Sequence, residues 1–137
     1  MTYALDTNAV IDFLNQEPLV VKRFYKVARD GINIVIPSIV DYEILRGFFH
    51  TPSSRKEAAY NIMRLNCPII EININIWKQA ASIWAVLRKS GLTIGDADIL
   101  IAAYCVVNDF TLVTCNTKDF DHIRGLKLVN WKSHDKG

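Results

Sequence analysis

The sequence predicts a three-layer α/β domain in which a mostly parallel sheet of about five strands is flanked by helices. Short apolar and β-branched runs alternate along the chain with longer amphipathic stretches, an order typical of parallel βαβ units. The chain has 137 residues, 50% of them hydrophobic, which suffices for one core but not for two. We found no internal repeat and no linker, so we expect a single domain.

The first half of the chain contains two predicted strands and three predicted helices. In order, these are a strand over residues 3–5, helices over 8–14 and 19–29, a strand over 32–36 and a helix over 38–49. Pro18 separates the first two helices, and Gly31 is placed to end the second. Ser38 is a candidate N-cap for the third helix.

The second half repeats the alternation. Its predicted elements are a helix from Ser53 or Ser54 to about residue 65, a strand over 68–72, helices over 75–90 and 95–108, a central strand over 111–114 and an edge strand over 126–129. Trp77 and Trp84 fall at helical spacing and are predicted to be buried. The helix over 95–108 is apolar on all sides after its first turn, which indicates that it is buried.

Composition constrains function and location only loosely. The chain has 16 basic and 14 acidic residues, an excess too small to identify or exclude a nucleic acid binder. The three cysteines fit no zinc site and indicate free, buried thiols in a reducing compartment. No signal peptide is visible, and the longest apolar run is shorter than the ~20 residues of a membrane-spanning helix. We therefore expect a cytoplasmic protein without membrane association.

Four acidic residues lie where a parallel sheet is expected to form its site. Asp6 follows the first strand, and Asp119 follows the strand over 111–114 after a short turn. Glu43 and Asp98 lie early in helices. Because ligands bind beyond the carboxyl ends of the strands in open α/β sheets, these four side chains are predicted to share one cleft.

Asp98 suggests that this cleft binds a cation. It lies at the start of a helix that is expected to be buried, and a carboxylate in such a place is costly unless a positive charge compensates it. No lysine or arginine is close to it in sequence. Mg²⁺ and Mn²⁺ prefer oxygen ligands, and with such an acidic set they support phosphodiester hydrolysis. Spacing alone thus predicts an acidic metal site of unspecified substrate.

Four segments also carry a family pattern. They are LDTN at 5–8, YEILRG at 42–47, DILIAA at 98–103 and LVTCNTKDF at 112–120. In this order they resemble the PIN domain, and more narrowly the VapC toxins of bacterial toxin–antitoxin pairs. The resemblance spans nearly the whole chain and implies a PIN-like nuclease domain over residues 1–132, with a polar tail over 133–137.

The resemblance implies an endoribonuclease that depends on Mg²⁺ or Mn²⁺ and cuts an RNA such as a tRNA or rRNA. It also implies a homodimer and a VapB-type antitoxin whose tail occupies the active-site groove. By position, Asp6 and Asp98 match the principal metal ligands, and Glu43 and Asp119 complete the acidic set. Thr114 matches a hydroxyl that supports the first aspartate.

One position departs from the family pattern. Asn116 stands where many PIN domains have aspartate. Because an amide cannot supply the same negative charge, a second metal site would be weak, or Asp119 would serve it instead. Whether one or two ions bind is open at this point.

Other acids near the pattern have simpler interpretations. Asp96 is predicted to be the N-cap of the helix that carries Asp98, with an outer-shell metal role as an equal alternative. Asp12, Asp41 and Asp121 are predicted to be solvated or capping residues.

Two further groups are candidates for binding a partner. Phe48 and Phe49, late in a predicted helix, are predicted to form a dimer or antitoxin surface, with a place in the core as the alternative. Arg46 and Lys118 are candidates for contacts to RNA phosphates, which position a nucleic acid without specifying its sequence. Ordinary solubilising charge is the alternative for either cation.

Three rival functions fit these residues less well than a ribonuclease does. A haloacid-dehalogenase-type phosphatase would need a second aspartate where this chain has Asn8. A structure-specific DNA nuclease of the PIN type usually has extra acids and a helical arch, for which this chain is short. A non-catalytic PIN-like module that binds RNA or a partner would typically have lost acids, whereas four remain here.

Overall fold

The computed structural model describes residues 1–133 and confirms the predicted α/β class. Its strands are β1 (Thr2–Leu5), β2 (Asn33–Pro37), β3 (Ile69–Ile70), β4 (Thr111–Val113) and β5 (Lys127–Val129). Its helices are α1 (Thr7–Leu14), α2 (Pro18–Arg29), α3 (Ser38–His50), α4 (Ser54–Asn66), α5 (Ile74–Lys89), α6 (Asp96–Asn108) and α7 (Thr117–Phe120).

All neighbouring strands run parallel, in the order β3-β2-β1-β4-β5. The chain proceeds from β1 to β3 in one direction and then crosses back to β4 on the other side of β1. Because such crossovers are right-handed, the reversal puts α1–α4 on one face of the sheet and α5–α6 on the other. β1 and β4 are therefore neighbours where the strand order reverses, and ligands bind at such points in open sheets.

The predicted helix ends and buried helix are largely confirmed. Gly31 follows α2 with a φ of 72°, a left-handed conformation that glycine adopts without strain. In α6, Ile101, Ala102 and Tyr104 are fully buried. Differences occur in the shortest elements: β3 spans two residues rather than 68–72, and α7 lies where only a turn was predicted.

The prediction that Ser38 is an N-cap was wrong. Pro37 occupies the cap position, and Ser38 is the first residue of α3. The Ser38 hydroxyl instead makes a hydrogen bond with the Tyr104 hydroxyl and so joins α3 to α6.

The prediction that Trp77 and Trp84 are buried was also wrong. Their side chains are 52% and 45% exposed, and the Arg88 guanidinium lies 4.9 Å from the centre of the Trp84 ring. The reason is that the buried stripe of α5 is narrow and lies one position away. It consists of Ile76, Ala80, Ile83 and Leu87.

Asp41 is neither solvated nor a cap. It is 9% exposed and accepts hydrogen bonds from the Tyr60 hydroxyl at 2.6 Å and from Arg64 Nε and Nη2 at 2.9 and 3.1 Å. Because Asp41 lies on α3 and its partners on α4, the three side chains tie these helices together.

The predicted Phe48–Phe49 surface divides between interior and solvent. Phe48 is half-buried beside the Tyr60 ring, with the two ring centres 6.0 Å apart. Phe49 is 90% exposed. Similarly, two cysteines are buried as predicted, but Cys115 is exposed.

Within residues 1–133, none of the helices is long and apolar enough to cross a membrane. The predicted tail over 133–137 lies outside the described residues, except for Ser133.

Candidate active site

The four predicted acids gather around the carboxyl ends of β1 and β4. Asp6 directly follows β1, and its backbone N–H donates to the Val113 carbonyl at 3.0 Å. Thr114 directly follows β4, and its hydroxyl donates to Asp6 Oδ2 at 2.7 Å. The sheet register therefore fixes the position of Asp6.

Asp6 is a buried carboxylate, and each of its two oxygens accepts one hydrogen bond. It is 3% exposed, and Oδ1 accepts the Thr7 backbone N–H at 2.8 Å. Burial raises its pKa above the ordinary value, the hydrogen bonds from Thr114 and Thr7 oppose this, and the charge of Glu43 adds to the rise. Asp6 is also the N-cap residue of α1, so its capping and site roles coexist.

Glu43 lies on α3 and faces Asp6. Its Oε1 accepts the Thr7 hydroxyl at 2.6 Å. Its Oε2 lies 3.4 Å from Arg46 Nη2, while Arg46 itself is exposed and packs over Tyr42. The predicted cation Arg46 is thus beside the acidic set.

Asp98 lies in the first turn of α6. Burial raises its pKa to about 6, and the charges of Asp6, Glu43 and Asp119 each contribute to the rise. Within residues 1–133, Asp98 forms no ion pair. The structure thus brings the other three acids within electrostatic range of Asp98, and among the described residues no cation pairs with Asp98.

The remaining predicted residues lie on α7 or at the start of α6. Asn116 precedes α7, and its backbone N–H donates to the Thr114 hydroxyl at 3.0 Å. Asp119 and Lys118 are both exposed on α7. Asp96 is exposed as well, and it is not the N-cap, because Gly95 occupies that position. Asp96 does not contribute to the raised pKa of Asp98.

The donor set fits a hard divalent cation in chemistry, although it is not a closed cage. Across the described chain, no three Asp, Glu, His or Cys side chains converge into a ready-formed metal site. Mg²⁺ usually binds through one or two carboxylates and completes its shell with water and substrate phosphate. Burial and three neighbouring carboxylates raise the pKa of Asp98 to about 6, and a bound cation would relieve this repulsion.

Thr7 also belongs to this site, although the sequence predicted no role for it. It contacts both Asp6 and Glu43. The available signal was a hydroxyl side chain directly after the first aspartate, but contact with a glutamate 36 positions later cannot be inferred from one sequence.

A cavity of about 210 Å³ lies between α1 and α3, next to Glu43. Its lining includes Ile11, Phe48 and Lys56. A larger one, about 690 Å³, is lined by α2, α4 and residues at the amino ends of β2 and β3, and therefore lies away from the acids.

Comparison with known proteins places these observations in context. The family model of the PIN domain matches residues 3–126. Ribonuclease VapC2 of Rickettsia felis is 31% identical over 134 residues, which cover 96% of this chain and 98% of that protein. Ribonuclease VapC1 of Methanocaldococcus jannaschii is 28% identical over 128 residues, 92% of this chain and 85% of that protein.

A solved structure gives the same picture. A chain in the crystal structure of VapBC2 from Rickettsia felis, bound to a DNA fragment from its promoter, superposes with a TM-score of 0.88. The sequence identity is 29%, and the match covers 96% of this chain and 99% of that one.

Proposed function

Because this chain belongs to the PIN domain family, we propose that it is an endoribonuclease of the VapC type, the toxin of a toxin–antitoxin pair, and that it depends on Mg²⁺ or Mn²⁺. The observation that supports the active site most directly is the raised pKa of Asp98, since its causes include the charges of the other three acids.

Asp6, Glu43, Asp98 and Asp119 are the residues proposed to hold the metal ion and its waters. When bound, a divalent ion supplies an activated water and offsets the charge of the scissile phosphate. Thr114 orients Asp6 by donating to Oδ2. One bound ion is the simpler arrangement, because Asn116 replaces an acid and Asp119 is exposed.

The exposed cations beside the acids are proposed to hold the RNA backbone. Arg46 lies next to Glu43, and Lys118 precedes Asp119 on α7. The proposed reaction is an in-line attack of water on phosphorus that leaves a 5′-phosphate and a 3′-hydroxyl. Asp96 is outside this set and is proposed as a surface residue.

The experiment that tests this function is cleavage of total cellular RNA by the wild type and Asp6→Ala, each with Mn²⁺ and with EDTA. We expect discrete cuts that require both Mn²⁺ and Asp6, with mapped ends that identify the RNA. If antitoxin-free wild type leaves RNA intact but cuts DNA flaps, a DNA nuclease replaces the proposal; binding without cleavage of either would indicate a non-catalytic module.

Metal binding has an independent test in thermal unfolding. If Mn²⁺ binds only the folded chain, it should raise the melting temperature. At a Mn²⁺ concentration 100 times the dissociation constant, the free energy of unfolding should increase by ~2.7 kcal/mol. An unchanged melting temperature at millimolar Mn²⁺ would contradict the proposed site.

The proposed partners are a VapB-type antitoxin and a second copy of this chain. The support is that the similar Rickettsia felis chain was solved as part of VapBC2. The expected result is that co-expressed antitoxin forms a stable complex with the chain and suppresses RNA cleavage.

A further inference from the structure

We propose that Thr7 is a positioning residue that holds the carboxylates of Asp6 and Glu43 in a fixed arrangement for the metal ion. The inference rests on the proposed function, because it concerns the same acidic site. It adds a residue that is neither acidic nor a metal ligand.

Thr7 bridges two segments that are distant in sequence. Its backbone N–H donates to Asp6 Oδ1 at 2.8 Å, and its hydroxyl donates to Glu43 Oε1 at 2.6 Å. In the part of the chain described here, no other residue joins two of the four acids by hydrogen bonds. Thr7 therefore links the end of β1 to α3 within the acidic site.

The donor itself is well fixed. Thr7 is the first residue of α1, so its backbone conformation is set by the helix. Its β-branched side chain has few rotamers, which restricts where the hydroxyl can lie. A hydrogen bond of this length to an ionised carboxylate belongs to the stronger class in proteins.

Glu43 needs such a contact because its other restraints are weak. Arg46 is 59% exposed, and its Nη2 lies 3.4 Å from Oε2, which is long for a charge-assisted hydrogen bond. Glu43 and Asp6 also repel each other, as the contribution of Glu43 to the raised pKa of Asp6 indicates. Without the Thr7 hydroxyl, repulsion would favour rotamers that turn Glu43 away from Asp6.

The consequence is a specific loss of metal affinity. In Thr7→Val, all four acids remain and the side chain keeps its shape, but Glu43 is no longer held. Removal of residues that orient metal ligands typically costs about 10–100-fold in metal affinity or activity, and we expect Thr7→Val to weaken Mn²⁺ binding within that range. The same variant should lower kcat with little change in KM, because RNA binding is left to the surface cations.

The test compares Thr7→Val and Thr7→Ser with Thr111→Val. Thr111 is also a buried threonine, but it lies at the amino end of β4, whereas the acids lie beyond the carboxyl ends of the strands. Mn²⁺ affinity is measured by titration calorimetry without RNA, and apo stability by thermal unfolding. We expect Thr7→Ser to restore most of the affinity, and Thr111→Val to bind Mn²⁺ like the wild type.

Each other outcome overturns a defined statement. Wild-type Mn²⁺ affinity in Thr7→Val would overturn the positioning role while leaving the metal site intact. Equal losses of affinity in Thr7→Val and Thr7→Ser, in step with loss of apo stability, would assign Thr7 to folding alone. Absence of Mn²⁺ binding by the folded wild type would overturn the proposed metal site, and the inference with it.

Discussion

At the scale of single residues, the ionised carboxylate of Asp98 is clearly unfavourable in the folded apo protein, because it is partly buried beside other acids. It lies among three other acids, and the described chain provides it with no ion pair. Function and apo stability should therefore respond in opposite directions to Asp98→Asn. The amide removes like-charge repulsion from the folded state, but it also removes a metal ligand.

We expect Asp98→Asn to leave the apo protein at least as stable as the wild type, while reducing RNA cleavage by more than 100-fold and abolishing stabilisation by Mn²⁺. Urea unfolding without metal and a cleavage assay with Mn²⁺ measure the two effects. Asp121→Asn, at the exposed end of α7, is the matched control and should change neither. A clearly less stable apo Asp98→Asn would show that Asp98 is structural.

The raised pKa of Asp98 also predicts how this effect depends on pH. The ordinary pKa is 3.8 and the folded value is about 6, so the folded state binds more protons between these values. Stability from this group is therefore present at pH 4 and is lost as the pH rises through 6. One pKa unit is worth about 1.4 kcal/mol, and solvent screening of a partly exposed group reduces the total to about 1–2 kcal/mol.

The measurement is the difference in free energy of unfolding between Asp98→Asn and the wild type, without metal, from pH 4 to pH 7.5. The free energy of unfolding of the variant, relative to that of the wild type, should increase as the pH rises, mostly between pH 4.5 and 6.5. A difference that stays constant over this range would contradict a pKa near 6.

The site residues differ in how far the sequence could predict them. Asp6 and Asp98 follow from local patterns, a carboxylate after a strand and a carboxylate at the head of an apolar helix. Asp41 was misassigned because its partners, Tyr60 and Arg64, are 19 and 23 positions away, and a single sequence does not show such pairs. Thr7 was overlooked for the same reason.

At the scale of elements, long periodic segments were predictable and short ones were not. The start of α2 and both ends of α5 differ from the predictions by one residue, and the end of α2 is as predicted. By contrast, β3 and α7 contain two and four residues, too few for a hydrophobic period to be visible. Their existence depends on neighbouring strands and on the turn after Thr114, which are tertiary effects.

The contact between α3 and α4 yields a prediction at this scale. Arg64 offsets the charge of buried Asp41, so Arg64→Met should leave that carboxylate with only the Tyr60 hydroxyl. Because Arg64 is itself 39% exposed, we expect a loss of about 1–3 kcal/mol in the free energy of unfolding, below the full cost of breaking a buried pair.

Urea unfolding of Arg64→Met beside Arg55→Met measures this effect. Arg55 is an exposed residue at the start of the same helix, and its substitution should change stability by less than ~0.5 kcal/mol. Equal stability of the two variants would mean that the Asp41 cluster does not tie α3 to α4.

At the scale of the whole molecule, the strand order explains why four acids separated by up to 113 positions in sequence come together. Alternation of strands and helices predicted the parallel sheet, and the sheet places the ends of β1 and β4 side by side. The surface was harder to predict, because an apolar residue at helical spacing is equally compatible with the core and with an interface. Trp77 and Trp84 illustrate this, since both are about half exposed.

Phe49 provides the corresponding test of a partner surface. It is 90% exposed, whereas the adjacent Phe48 packs beside Tyr60. Phe49→Ser should therefore change the stability of the monomer by less than ~0.5 kcal/mol, while Phe48→Ser should destabilise it by about 1–3 kcal/mol. If Phe49 belongs to an interface, its substitution should also disrupt the assembly. Light scattering after gel filtration would then give a lower molar mass for the homo-oligomer or for the complex with the antitoxin. Unchanged masses for a folded Phe49→Ser would place the interface elsewhere, with the exposed tryptophans of α5 as the next residues to substitute.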